Sequence, residues 1–118
     1  MKVNISLGEL LDKVSILKIK KKKIRDKDKL KEINLELKEL KPFLKREHKS
    51  YIKMLMKINL SIWNGVDKQW KMENEDNYDF SCVDLARDVL LNNHKRFNIK
   101  DEVNRLFNSE IKEVKSVN

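Results

Sequence analysis

Residues 30–66 read LKEINLELKELKPFLKREHKSYIKMLMKINLSIWNGV, and this stretch decides the fold. Its apolar side chains recur at alternating steps of three and four, at Leu30, Ile33, Leu37, Leu40 and Leu44. The same phase continues through His48 and Leu55 as far as Val66, with one extra step of four. Because a helical surface repeats every 3.6 residues, this spacing predicts helix with one buried apolar stripe.

Pro42 interrupts this stretch and leaves two interpretations open. Proline lacks a backbone N–H and clashes with the preceding turn, so it kinks or breaks a helix. Since the apolar phase survives it, we predict one long helix from about Asp28 to about Asn74, kinked at Pro42. The alternative is two helices, with Pro42 at the first position of the second.

Helical signals flank this stretch on both sides. Ser6 and Glu9 have the spacing of a capping box, so the first helix should begin near Ser6. Residues 74–79 predict a loop, and a last helix should follow and end near Asn108. Its apolar positions are Val83, Ala86, Leu90, Phe97, Val103 and Leu106. The alternating tail, Ile111 to Val117, could run beside Val3 and Ile5.

The composition favours one domain of packed helices over residues 1–118. The chain has two glycines and one proline, too few for the turns of an all-β domain. We therefore predict an all-α fold, a long antiparallel hairpin or bundle of three to four helices. The first and last helices should pack against the middle one. Long helices lying side by side leave a thin core, so we also predict a homodimer.

Cysteine content and hydropathy suggest a cytoplasmic protein. A single cysteine allows no internal disulfide, which fits a reducing compartment. The chain has no apolar run long enough to span a membrane, and its first residues lack a signal-peptide pattern.

Basic residues are concentrated in the first half of the chain. Residues 1–57 contain 18 basic and 8 acidic side chains, a net charge of +10, whereas the remainder has a net charge of −2. The densest patch comprises Lys20, Lys21, Lys22, Lys23 and Arg25. It could bind nucleic acid or another anionic ligand. It could also serve only the helix dipole, and the excess of lysine over arginine, 22 to 5, could reflect an AT-rich genome.

No complete catalytic motif is present, and the metal-ligand pattern is weak. The two histidines lie far apart, and the acidic pair Glu36 and Glu39 is flanked by lysines, as on a solvated helix face. We therefore predict neither a metal nor a cofactor. Trp63 and Trp70 are seven residues apart on one helix face and are better suited to a core or an interface than to base stacking.

The first helix carries a motif that resembles a known family. The motif runs Ser6-x-Gly8-Glu9-Leu10-Leu11-Asp12-Lys13-Val14-Ser15-Ile16-Leu17-x-Ile19-Lys20, and weaker matches continue in order to the end of the chain. It resembles a family of short, uncharacterised, all-helical bacterial and phage proteins. Their genes often lie beside genes for glycosyltransferases and lipopolysaccharide assembly. The resemblance implies that context and no established activity.

Polar residues on the first and last helices form the candidate site. If the helices pack antiparallel, one cluster could include Glu9, Asp12, Lys13, Asp67, Arg87, Arg96 and Lys100. Such a cluster could fix the register of the helices or bind an anion or sugar phosphate. The leading hypothesis is a non-catalytic accessory or assembly protein that binds a partner through a helical face. The alternatives are an enzyme or binder acting on a phosphorylated or anionic small molecule, and a nucleic-acid-binding protein using the Lys20–Arg25 patch.

Overall fold

A computed structural model describes residues 4–74 and 80–108, with side chains in the last helix described from Val83 onward. Its four α-helices are α1 (Leu7–Lys23), α2 (Lys27–Leu40), α3 (Lys49–Asn74) and α4 (Phe80–Leu106). Two short 3₁₀ helices, Lys41–Phe43 and Arg46–His48, connect α2 to α3. The predicted all-α fold of three to four helices is confirmed.

The ends of α1 follow from its sequence. The Ser6 hydroxyl caps the helix by accepting a hydrogen bond from the Glu9 N–H at 3.1 Å. The Glu9 carboxylate, expected to complete a capping box, forms an ion pair with Lys100 instead. Four lysines, residues 20–23, occupy the last turn, where positive charge is favourable to the helix dipole.

The prediction of one long helix kinked at Pro42 is wrong, because the chain breaks there into α2 and α3. Helix α2 ends at Leu40, Pro42 lies in the first 3₁₀ helix, and Leu44 and Lys45 have extended backbone conformations. The apolar phase persists across the break because both helices direct their stripes toward α1. Leu37, for example, packs against the same core as Leu55.

Helices α3 and α4 form an antiparallel hairpin, and α1 packs against both. Within the hairpin, Gly65 of α3 faces Leu85 and Val89 of α4. Helix α2 packs on α1 and forms no comparable contact with α3 or α4. Helix α1 therefore lies at the centre of the described structure, between α2 and the hairpin.

The hydrophobic core lies where α1 crosses the hairpin. Its buried members come from α1, α3 and α4, and are Leu10, Leu11, Val14, Ile52, Leu55, Ile99 and Val103. The stripe predicted for α4 is largely wrong: Val83, Leu90 and Leu106 are 68%, 65% and 56% exposed. The face of α4 that points into the structure also contains polar residues, so a stripe defined by apolar side chains alone falls largely on the exposed face of the helix.

His48 is buried at the end of the second 3₁₀ helix, just before α3. Its Nδ1 accepts a hydrogen bond from the Lys45 N–H at 3.0 Å, and its ring packs edge-to-face on Phe107 with centroids 5.0 Å apart. Burial lowers the pKa of His48 below its ordinary value of 6.5; Glu47 opposes this shift and Lys45 adds to it.

The predicted loop and the predicted pairing of the two chain ends lie largely or wholly outside the described residues. Among the described helices, none is both long enough and apolar enough to cross a bilayer.

Candidate functional site

Asp12 of α1 is the centre of a buried polar network. Its side chain is only 1% exposed, and its carboxylate binds the Arg96 guanidinium of α4 through two donors. Arg96 Nε lies 3.0 Å from each carboxylate oxygen, and Arg96 Nη2 donates a further hydrogen bond to Oδ2. A bidentate pair of this kind is strong and directional, so it fixes how α1 and α4 are placed relative to one another.

Two uncharged side chains complete the environment of Asp12. The Asn59 amide, from α3, donates hydrogen bonds of 2.8 Å to Asp12 Oδ1 and to Ser15 Oγ. The Ser15 hydroxyl in turn donates to the Asp12 backbone carbonyl at 2.6 Å. Three helices thus meet at one carboxylate.

Lys100 of α4 extends the network by one helical turn. Its ammonium lies 2.7 Å from Glu9 Oε2 and 3.9 Å from Asp12 Oδ2, and its side chain is 6% exposed. The Glu9 side chain is 41% exposed, so the Lys100–Glu9 pair marks the edge of the network that faces solvent. The buried Asp12 carboxylate is paired with Arg96, and Lys100 is paired with the more exposed Glu9, so the network buries no unbalanced charge.

Gly8 permits the close approach of α1 to α4. A Cβ built at Gly8 would lie 2.5 Å from the Lys100 carbonyl oxygen, which is backbone and has little freedom to move. The Gly8 N–H donates a 2.7 Å hydrogen bond to Asn104 Oδ1, whose side chain is buried. Because the N–H groups of a first helical turn lack intrahelical acceptors, Asn104 satisfies one that would otherwise be buried unpaired.

Every buried side-chain nitrogen and oxygen in the described part of the chain has a hydrogen-bond partner. A network that is already satisfied by its own groups is suited to holding helices in register. A catalytic site would instead need polar groups directed into a cavity large enough for a substrate.

Four of the seven residues in the predicted cluster lie together: Glu9, Asp12, Arg96 and Lys100. Lys13 points away from them and forms an ion pair of 2.9 Å with Glu36 of α2. Arg87 is on the exposed surface of α4, two and a half turns before Arg96.

Three polar members of the network were missed in the sequence: Ser15, Asn59 and Asn104. A signal for Asn59 was available, since it is a polar residue within the apolar stripe between Leu55 and Ile62. A buried asparagine in such a stripe is a known device for fixing register.

A groove on one side of α1 contains both tryptophans. Its volume is about 380 Å³, and its walls come from α1, α3 and α4. The lining residues are Ile16, Ile19, Asn59, Ile62, Trp63, Val66, Asp67, Trp70 and Arg96. Trp70 is 61% exposed, whereas Trp63 is half-buried. Asp67 lines the same groove as Arg96. We call this surface the tryptophan groove.

The predicted basic patch lies at the end of α1 and just beyond it. Lys21, Lys22, Lys23 and Arg25 are exposed, and Lys20 is half-buried. Within residues 4–74 and 80–108, no group of three or more histidine, cysteine, aspartate or glutamate side chains is arranged to hold a metal ion.

The fold and the network together define a small helical protein in which three helices are joined around one buried ion pair. The chain belongs to a family of unknown function, DUF6165, whose model matches residues 1–118. No curated protein and no solved structure matches it.

Proposed function

We propose that the protein is a non-catalytic accessory or assembly protein that acts through a helical face, and that two copies pair at the tryptophan groove. The observation that carries the proposal is the exposure of large apolar side chains there: Trp70 is 61% and Val66 is 37% exposed. Apolar side chains grouped beside a partly open groove are typical of interaction surfaces.

The closed polar network supports a non-catalytic role. Asp12 is held by Arg96 and Asn59, and Lys100 is held by Glu9, so the strongest charges of the cluster are committed to one another. Breaking such pairs to engage a substrate would be costly, because it would leave a charge buried without its partner.

The exposed apolar surface of the hairpin supports pairing with a second copy. Among the described residues, several large apolar side chains of α3 and α4 are exposed, including Trp70, Val83 and Leu90. Two such hairpins brought face to face form a four-helix bundle, in which each copy covers the apolar side chains of the other. Residues 62–74 and 83–93 contain three basic and four acidic side chains, so the charge does not oppose the approach of an identical surface.

Light scattering after size-exclusion chromatography tests the pairing. We expect the full chain at tens of micromolar to have twice the 14.1 kDa mass of one copy. Trp70→Lys should reduce the mass to that of one copy, since it places a charge in the proposed interface. Leu35→Lys changes a side chain of similar exposure, 58%, on α2 and should leave the dimer intact. A wild-type protein that remains monomeric would rule the pairing out.

The family resemblance adds a cellular context to this proposal. Genes of similar proteins lie beside those for glycosyltransferases and lipopolysaccharide assembly. On that basis, we propose that the accessory role belongs to the assembly of cell-surface polysaccharides.

A second candidate is binding of an anionic small molecule in the tryptophan groove. It is favoured by one observation: Arg96 lines this groove, and its side chain is 28% exposed. Asp67 lies on the same groove and would repel an anion, so this candidate has weaker support than pairing.

A further inference from the structure

A second groove, strongly basic, lies on the other side of α1. The residues that α1 contributes to it, Val14, Lys18 and Lys21, are on the opposite face of that helix from Ile16 and Ile19 of the tryptophan groove. This basic groove has a volume of about 860 Å³, and a depression of about 630 Å³ adjoins it and shares Lys18, Lys21, Lys49 and Ile52. The two together form one continuous surface that is separate from the polar network.

The basic groove exists because α2 diverges from α3. Each packs on α1, and the two helices form no substantial contact with each other. The 3₁₀ helices at residues 41–43 and 46–48 close one end of the space between them. The result is a channel lined by α1, α2 and the start of α3, which is the position that a further helix occupies in a bundle.

The floor of this channel is apolar. Leu37 and Leu44 are half-buried, and Val14 and Ile52 lie beneath them with 0% and 4% exposure. The apolar side chains are less exposed than the lysines around them, so a side chain that enters the groove reaches them more readily than a flat bilayer surface does. The lining contains no aromatic side chain on which a nucleic-acid base could stack.

The rims are formed by cations on both sides. Lys18, Lys21 and Lys22 stand on the α1 side, and Lys49 and Lys53 stand at the start of α3. The opposite rim contains further cations from α2 and its connection to α3, namely Lys38, Lys41, Lys45 and Arg46. No aspartate or glutamate lines either depression.

These nine cations have no acidic partners among the described residues. The ion pairs on neighbouring surfaces, such as Lys13 with Glu36, do not involve any of them. Charges of one sign around a concave apolar surface reinforce one another and raise the local concentration of an oppositely charged partner. Much of the excess of basic residues in the first half of the chain therefore lies around this one groove.

We propose that the basic groove binds an acidic amphipathic α-helix of another protein. Such a helix has an apolar stripe flanked by carboxylates, which matches the apolar floor and the cationic rims in both shape and charge. Two copies of this chain are poorly suited to pair groove to groove, because the helices that line the groove are basic and like charges would oppose their approach. The proposal does not depend on pairing at the tryptophan groove.

A designed peptide provides the direct test. The peptide is a capped helix of about 20 residues with leucines at helical spacing and glutamates on both sides of them. Its binding to the full chain is measured by fluorescence anisotropy at low and at physiological salt. A control peptide has the same composition with the leucines redistributed so that no apolar stripe remains. We expect the amphipathic peptide to bind at least about tenfold more tightly than the control.

Charge reversal locates the binding site. Lys18→Glu combined with Lys49→Glu should weaken peptide binding by about tenfold or more, since both side chains lie on the rims. Lys31→Glu combined with Lys57→Glu reverses two exposed lysines outside the groove and should change the affinity by no more than about twofold. Circular dichroism of the four-helix chain checks that both double variants remain folded.

Several results would overturn the proposal. Equal binding of the two peptides would mean that the surface attracts any polyanion. A single-stranded oligonucleotide and vesicles containing anionic lipid are tested in parallel with the same variants. Tighter binding of either one, lost with the rim variant, would assign the groove to nucleic acid or to membrane instead. Absence of peptide binding at low salt would remove the proposal while leaving dimer formation untouched.

Discussion

At the scale of single residues, Asp12 connects three helices of the described structure. It joins α1 to α3 through Asn59 and to α4 through Arg96. Buried charges of this kind add little net stability compared with apolar packing, yet removal of one partner is costly. We therefore expect Asp12 to specify the arrangement of the helices, and its loss to affect both stability and order.

Asp12→Asn should reduce the free energy of unfolding by about 3 kcal/mol, because it removes the negative charge from a buried carboxylate that is paired with the Arg96 guanidinium. Urea denaturation followed by circular dichroism measures the change. Lys13→Gln is the matched control: it removes the exposed pair with Glu36, 2.9 Å long, and should cost less than about 1 kcal/mol. Equal stability of Asp12→Asn and the wild type would contradict a structural role for the network.

His48 should make the protein less stable in mild acid. Because burial lowers its pKa in the folded state, the unfolded chain takes up a proton more readily as the pH falls below about 6.5. The stability associated with neutral His48 is thus present above that pH and is lost as the pH falls through the folded-state pKa. Protonation of Nδ1 would also remove the hydrogen bond from the Lys45 N–H.

The measurement is the free energy of unfolding between pH 7.5 and pH 5.5 for the wild type and for His48→Gln. The wild type should lose more stability over this range than the variant, which has no imidazole at position 48. Identical pH dependence of the two proteins would show that His48 does not contribute.

At the scale of elements, the connection between α2 and α3 determines how the first half of the chain is arranged. Pro42 lies in a 3₁₀ helix, and the extended residues Leu44 and Lys45 follow it. Proline restricts its own backbone and that of the preceding residue. The extended conformation of Leu44 and Lys45, which follow it, therefore has another cause. The separate packing of α2 and α3 on α1 is what maintains the break, and it also opens the basic groove.

Pro42→Ala should consequently leave the helices separate. Restoring a backbone N–H at residue 42 does not change which surfaces of α1 are covered, so far-UV circular dichroism should match that of Lys41→Ala, a neighbouring exposed substitution. A clear gain in helical signal for Pro42→Ala alone would mean that proline by itself causes the break.

At the scale of the whole molecule, apolar surface is unevenly distributed. Ten hydrophobic residues are buried in the described part of the chain, seven of them in the core where α1 crosses the hairpin, whereas eleven large ones are exposed. Several of the exposed ones lie on the hairpin, including Trp70, Val83 and Leu90. Because the core is small and much apolar surface is exposed, we predict a dimer and place its interface at the tryptophan groove.

Local interactions allowed the sequence by itself to determine the helical class, the Ser6 cap with the start of α1, and the approximate bounds of α4. These features depend on side chains within about four residues of one another, as when the Ser6 hydroxyl accepts a hydrogen bond from the Glu9 N–H. The three-and-four spacing of the apolar residues was also sufficient to predict helix over residues 49–74.

Only the tertiary structure decided which faces meet. The network joins Asp12 to residues 47 and 84 positions away, and the inward face of α4 carries charge where a stripe search expects apolar side chains. The divergence of α2 from α3, and the groove between them, likewise depend on how both pack on α1. Helical periodicity records which side of a helix is apolar, but the pairing of distant helices depends on the combined fit of all of them.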